Sequence, residues 1–410
     1  MMQRAATAAA RRAPRSLQRS TLPGRLLARR TGACRTVSYL LGIETSCDDT
    51  AVAVVDTDGN VLSNVVSSQW ELNAKWKGIV PALAARAHEE NLPHVLEAAI
   101  QQSGLSSVSD LAAVAVTSGP GLSPCLGVGL ATAQRLALDH ELDFLQINHL
   151  EAHVLVARLP SLDLPSRPEF PFLVLLVSGG HCCLVLARGI GDYELLGNTL
   201  DDSVGEAYDK VARMLELTAV NPGVHGGKLL EDLARGGDEN AFPFTEPMKH
   251  RPASLRSPMP QDCDFSYSGI KTAMLREIRT IESLDKATKA DLCASFQRRA
   301  VDQLVTRTRR ACQWGRDRVG TLPLQQLVVC GGVASNQYLR QRIQEAGVEE
   351  GMTVVFPPAK MCTDNGVMIA WAGVERYVRG MRSDPVGAKY RPRWPLDAMD
   401  PLPGTETARQ

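Results

Sequence analysis

Apolar and β-branched residues along this chain come in short runs separated by small polar turns. From Tyr39 to Asp56 the chain reads YLLGIETSCDDTAVAVVD, two apolar runs about a polar tip, which predicts a β-hairpin. The stretch FLVLLVSGGHCCLVLA, from Phe172 to Ala187, repeats the plan about 130 residues on. Both tips are rich in Gly, Ser and Thr, residues whose turns aim backbone N–H groups and hydroxyls at a common anion. Two such copies predict duplicated lobes with facing tips. Other stretches pass from strand through a Gly turn into helix, the pattern of α/β proteins. Leu111 to Thr117 leads into SGPG and an apolar helix from about Gly127 to Leu138. Leu327 to Cys330 leads into GGVASN and a helix through Ala346. In open α/β sheets ligands sit beyond the carboxyl ends of the strands, where these turns fall. The Pro-rich stretch Leu159 to Phe170 marks a lobe boundary, and Asn240 to Asp264, with five prolines, reads as a surface excursion.

Composition narrows the picture. A chain of 410 residues accommodates two domains, and 44% hydrophobic with 22% charged residues is a globular balance. No apolar run approaches ~18 residues, so no membrane span is expected. The ten cysteines are scattered without a CxxC pair, which suits a reducing compartment and neither a disulfide framework nor a structural zinc site. The first 36 residues carry nine arginines, no lysine and no acid. That is the signature of a mitochondrial transit peptide; the alternative is a disordered basic arm for nucleic acid. Without this leader, 36 basic residues face 45 acidic ones. A net-acidic body has no bulk attraction for nucleic acid, so such contact requires a local basic patch. The run Arg298, Arg299, Arg307, Arg309, Arg310, Arg316 and Arg318 is one candidate, and a solvated helix face explains it equally well.

Candidate chemistry begins at NHLEAH. His149 and His153 are four residues apart, ~40° apart on a helix, so one face presents both to a metal. The spacing alone is weak, since two exposed histidines on a helix are the commoner case. The peptidase pattern HExxH is absent, and Glu151 falls ~200° around the helix from His149. Asp364, in CTDNG at the head of the apolar helix Val367 to Val378, suits either an N-cap or a carboxylate ligand. Two His and one carboxylate leave positions open, as in zinc and non-haem iron sites. Neither GxxxxGK[ST] nor GxGxxG occurs. A nucleotide site rests instead on Leu176-Val-Ser-Gly-Gly180, on Gly331-Gly332 with Ser335 and Asn336, and on Asp209, whose carboxylate suits two ribose hydroxyls. Taken singly, each Gly pair is more often just a turn.

The segments GIETSCDDT, HLEAH, LVSGGH, GEAYDK, SYSGIKT, GGVASN, CTDNGVMIAW and RPRWPL occur in one order. That order resembles the tRNA N6-adenosine threonylcarbamoyltransferase family, formerly misnamed as sialoglycoprotein endopeptidases, from about Leu40 to Leu396. With its leader the chain looks like the family's mitochondrial member, placed in the matrix. The resemblance implies an α/β fold of two duplicated ribonuclease H-like lobes, that of the actin, Hsp70 and sugar-kinase superfamily. The expected domains are a leader over 1–36, an N-terminal lobe over 37–165 with the metal helix, a C-terminal lobe over 166–396 with the adenylate site, and a disordered tail over 397–410. The helix at 365–379 is expected to pack back on the first lobe.

The implied reaction transfers a threonylcarbamoyl group from threonylcarbamoyl-AMP, made by a separate synthase, to N6 of the adenosine 3′ of the anticodon in ANN-decoding tRNAs. By the family pattern His149, His153 and Asp364 bind one divalent metal, zinc or iron. Leu176, Val177, Ser178, Gly179, Gly180, Asp209, Gly227, Glu231, Ser335, Asn336 and Thr363 line the adenylate site, and Asp48 sits close to the reacting group. A homodimer is the family expectation. The chain departs from many relatives at Asn148, where they have a second His, and at VHGGK, where they have a YPGGP-like loop. Competing readings are an ATP-dependent kinase or ATPase of the same fold, a metallopeptidase, and a non-catalytic RNA-binding scaffold.

Overall fold

The structure is a computed structural model describing residues 37–399, other than 77, 221–223, 247 and 249–262. The leader over 1–36, most of the tail over 397–410 and much of the Pro-rich excursion therefore lie outside the described residues. Strands are β1 (Tyr39–Glu44), β2 (Asp49–Asp56), β3 (Val61–Ser68), β4 (Ala113–Gly119), β5 (Asp143–Asn148), β6 (Phe172–Val177), β7 (Cys182–Gly189), β8 (Asp192–Asn198), β9 (Gln326–Cys330) and β10 (Thr353–Val355). Helices are α1 (Trp70–Trp76), α2 (Pro81–Ser103), α3 (Ser123–Asp139), α4 (His149–Leu155), α5 (Val204–Met214), α6 (Leu217–Val220), α7 (Gly226–Ala234), α8 (Ser268–Thr280), α9 (Lys286–Val319), α10 (Gln337–Glu349), α11 (Ala359–Cys362) and α12 (Gly366–Tyr377).

The duplication is explicit in the sheet order. One sheet runs β3-β2-β1-β4-β5 and the other β8-β7-β6-β9-β10. In each, an antiparallel meander of three strands is extended by two parallel strands added beside the first. Both expected hairpins form. The helix expected from Gly127 starts earlier, at Ser123, because Pro124 occupies the first turn, where a missing N–H costs nothing.

Both sheets are covered on both faces, so their central strands are apolar nearly throughout, and alternate side chains enter different cores. Leu41 and Ile43 of β1 pack under α2 and α3, while Leu40 faces α12. Leu173, Leu175 and Val177 of β6 pack under α5 and α9, while Phe172, Val174 and Leu176 face α4. Helix α4 divides its own apolar residues in the same way: Ala152 and Leu155 join α12 and the first sheet, and Leu150 and Val154 join the second. It therefore lies between the lobes with every residue buried.

Helix α12 lies against β1, β2, β4 and β5 at backbone distance. A Cβ on Gly42 would sit 2.3 Å from the Ala370 nitrogen, and one on Gly366 would sit 2.5 Å from that of Ala53. Glu151 ties this junction together. One carboxylate oxygen accepts from the Gly191 amide at 2.9 Å and the Tyr193 hydroxyl at 3.0 Å, and the other pairs with Arg376 of α12 at 2.6 Å.

Candidate active site at the lobe junction

Helix α4 starts at His149 because Asn148 caps it. The Asn148 side-chain oxygen accepts from the amides of Leu150 (2.9 Å) and Glu151 (3.2 Å), and its amide donates to the Trp394 carbonyl (2.9 Å). The family departure at this position is thus a working N-cap. One face of α4 then presents His149 and His153, ring centroids 4.7 Å apart and edge-on. Their Nε2 atoms lie 3.5 and 3.1 Å from a single oxygen of Asp364. Asp364 is free to point there because the cap of α12 is its neighbour: Asn365 Oδ1 accepts from the Met368 amide at 2.9 Å. This settles the choice left open by the sequence against a cap role for Asp364.

Behind the triad stands Glu44, the last residue of β1. Its carboxylate meets His149 Nδ1 at 3.0 Å and accepts from the Thr117 hydroxyl and the Ser46 amide, both at 2.5 Å. A carboxylate on Nδ1 fixes the ring and leaves Nε2 facing Asp364, and such a carboxylate partner on the far nitrogen is typical of metal-binding histidine. Among the described residues His153 has no such anchor, and its Nδ1 is buried without a hydrogen-bond partner. The charges agree. Burial opposes ionisation of His149, but Asp364 and Glu44 outweigh it and raise its pKa to about 9. Burial likewise works against the Asp364 carboxylate, yet His149 and His153 hold it well below the usual range. Ligating atoms of His149, His153 and Asp364 lie within 4.8 Å of one another. Two imidazoles and a carboxylate converging on a site that favours cation–anion pairing fit a divalent ion.

Two more groups surround the triad. His181, just past the β6 tip, is kept neutral with its pKa lowered to about 4 by burial and then by the charges of His149 and His153. Asp48, in the tip of the first hairpin, accepts from Asn73 of α1 at 2.8 Å. Burial, and then the charge of Asp364, raise its pKa above the ordinary carboxylate value.

The expected adenylate residues gather around the carboxyl end of β6. Leu176 and Val177 are fully buried within the sheet, so neither offers a side chain to a ligand. Ser178 uses its own hydroxyl to accept the amides of Gly180 (3.3 Å) and His181 (3.0 Å), which shapes the exposed tip. The tip is pressed from two sides. A Cβ on Gly205 would lie 2.6 Å from the Ser178 carbonyl, and one on Gly331, whose φ is +89°, would lie 2.3 Å from that of Val177. Gly332 in turn faces Thr363. Asp209 of α5 accepts from the Gly227 amide at 3.0 Å, and burial chiefly raises its pKa. Glu231 accepts from the Gln337 amide at 2.8 Å. Ser335 donates to the Gly332 carbonyl at 2.6 Å, and Asn336 caps α10 while donating to Gln297. Glu231 and Asn336 therefore also hold helix ends. Across the junction Trp70, at the head of α1, sits 4.3 Å from the ring of His225, at the head of α7.

Glu44, His181 and the Trp70–His225 pair escaped the sequence reading. Glu44 had a signal, an acid closing an apolar strand, and His181 directly follows the LVSGG tip. Nothing in the sequence joins Trp70 to His225. The arginine run on α9 is largely committed to acids: Arg299 to Asp302, Arg309 to Glu349, Arg316 to Glu350 and Arg318 to Glu194.

Two lobes of one sheet order make an α/β fold of the actin, Hsp70 and sugar-kinase type, with a His–His–Asp cluster at their junction. Among solved structures, full-length HypF in its phosphate- and nucleotide-bound form is similar with a TM-score of 0.50 at 13% identity, over 83% of this chain and 46% of that one, a likeness of fold alone. The family model for tRNA N6-adenosine threonylcarbamoyltransferase (TsaD) matches residues 60–371. A tRNA N6-adenosine threonylcarbamoyltransferase of Methylocapsa acidiphila is 45% identical over 363 residues, 88% of this chain and 97% of its own length. A protein of Arabidopsis thaliana named as the probable mitochondrial enzyme is 42% identical over 376 residues, 87% of this chain and 74% of its own. The chain belongs to the tRNA N6-adenosine threonylcarbamoyltransferase family, transferases that modify tRNA.

Proposed function

We propose that this chain transfers the threonylcarbamoyl group of threonylcarbamoyl-AMP to N6 of the adenosine at position 37, 3′ of the anticodon, in ANN-decoding mitochondrial tRNAs. The products are the threonylcarbamoyl-adenosine and AMP. The reaction runs in the matrix, in a homodimer fed by a separate synthase. The observation that carries this reading is the convergence of His149, His153 and Asp364 beside Asp48, next to the β6 tip.

The exocyclic adenine amine is a poor nucleophile. Its nitrogen must form a bond to the carbamoyl carbon while the bond from that carbon to the phosphate oxygen breaks and N6 loses a proton. A divalent ion, zinc or iron, held by His149, His153 and Asp364 would supply Lewis-acid polarisation to the carbamoyl group. Glu44 holds His149 in register for it. The Ser178-Gly179-Gly180 tip would favour the departing phosphate through its backbone dipoles, with the Gly180 amide turning to it from the Ser178 hydroxyl. Asp209 would accept from the ribose hydroxyls, with Gly227, Glu231, Ser335, Asn336 and Thr363 lining the adenylate site. Asp48, its proton affinity raised by burial, is suited to take the N6 proton.

The test is to incubate the chain with a synthase, ATP, threonine, bicarbonate and an ANN-decoding tRNA, then to look for the modified nucleoside by mass spectrometry. Product only when tRNA and synthase are both present supports transfer. Steady ATP hydrolysis without tRNA and no modified nucleoside would favour a kinase or ATPase of this fold instead.

A further inference from the structure

The segment after α12 is a strap laid across the first lobe by its backbone. Gln134 of α3 donates to the carbonyls of Pro385 (2.6 Å) and Ala388 (3.2 Å), and Gln146 of β5 donates to that of Lys389 (2.9 Å). The Arg391 amide donates to Ser118 at 2.6 Å, and the Pro392 carbonyl accepts from Gly121 at 3.2 Å. The strap then reaches Asn148, the cap of the metal helix, through the Trp394 carbonyl. Its fit is close: a Cβ on Gly119 would lie 1.8 Å from the Arg391 carbonyl oxygen. The loop it covers also touches the first hairpin, where the Leu122 amide donates to Ser46 at 2.8 Å. The strap thus borders the reaction centre.

With its backbone turned inward, the strap turns its side chains out. Lys389, Tyr390, Arg391 and Arg393 are all exposed. Arg391 stacks on Trp394, its guanidinium carbon 4.7 Å from the ring centroid. Among the described residues none of the three cations makes an ion pair, unlike Arg379 and Arg382 just before them, which pair with Glu375 and Asp143. Exposed, uncommitted cations interleaved with aromatic rings are the composition that tracks a nucleic-acid backbone and stacks on its bases. The rest of the body is net acidic, and the α9 arginines are largely taken up by acids, so attraction for a polyanion has to be local.

We infer that the strap carrying Lys389, Arg391 and Arg393 is the docking surface for the tRNA phosphate backbone, and delivers the nucleic acid to the metal-helix edge of the cleft. This rests on the transferase reading above. The geometry separates two jobs: the backbone of the strap is fixed by the lobe, while its charges are free to follow a flexible ligand.

The test is titration of a fluorescent ANN-decoding tRNA with the full chain at several salt concentrations. It compares wild type with the triple variant Lys389→Ala/Arg391→Ala/Arg393→Ala. The triple variant should bind ~10-fold or more weakly near physiological salt. The slope of log affinity against log salt should fall by about 2 to 3, since each phosphate contact contributes ~0.7 to 0.9. A charge-keeping variant, Arg391→Lys/Arg393→Lys, should retain the wild-type slope, and melting curves should show all three proteins folded. An unchanged affinity and slope in the triple variant, with wild type binding tRNA, overturns the docking surface alone. Equal loss in the charge-keeping variant overturns it too, by showing that the arginines act through shape. Wild type that binds no tRNA overturns both this inference and the transferase reading.

Discussion

At the residue scale, the site depends on one carboxylate behind another. Glu44 is fully buried, and it holds the His149 ring so that Nε2 meets Asp364. Glu44→Gln should therefore lower metal affinity ~10- to 100-fold, the usual cost of losing such an outer partner, measurable by competition with a chelator. Unchanged affinity would mean that His149 needs no anchor. Asp49 makes a different prediction. Its carboxyl, at the start of β2, is pushed up to about 7, mainly by burial. Between pH ~4 and ~7 the folded chain thus holds a proton that the unfolded chain has released, so stability falls as pH rises through that window. Asp49→Asn should be more stable than wild type by about 1 to 3 kcal/mol at pH 8 and nearly equal to it at pH 4. Urea denaturation at both pH values checks this, and an equal gain at both would contradict it.

At the scale of elements, α4 does the assembling. The four-residue spacing of its histidines was legible, as was the position of Glu151 away from them. What Glu151 does was not legible, because its partners, Gly191, Tyr193 and Arg376, lie 40 to 225 residues away. Removing one member of a buried ion pair strands the other charge, so Glu151→Ala should cost ~3 to 5 kcal/mol in chemical denaturation. A loss of activity with no loss of stability would instead revive a catalytic role for it. The head of α12 shows the reverse case. Asp and Asn stand side by side there, both good caps, and no local rule tells which one caps; only the contact of Asp364 with two histidines decides. The arginine run on α9 was equally undecidable, since most of its acids, Glu194, Glu349 and Glu350, lie off the helix.

At the scale of the whole molecule, the duplicated hairpins announced two lobes of one plan, and the Gly turns announced where a ligand would sit. Periodicity reached that far because each lobe repeats a local pattern. It did not reach the strap, whose role depends on which face its backbone turns toward the lobe. Nor did it reach the pairing of Trp70 with His225, which links the heads of two helices from different lobes. The cluster of His149, His153 and Asp364 is itself a product of this scale, with two members from the end of the first lobe and one from the approach to the last helix.

The most direct test compares wild type with Asp364→Ala and His149→Ala in the complete tRNA modification reaction, with the modified nucleoside quantified by mass spectrometry. A Lewis-acid ion contributes several kcal/mol to such a transfer, so each variant should lose at least ~100-fold in rate while still melting cooperatively. Near-normal rates in both variants would contradict a metal-assisted transfer at this site.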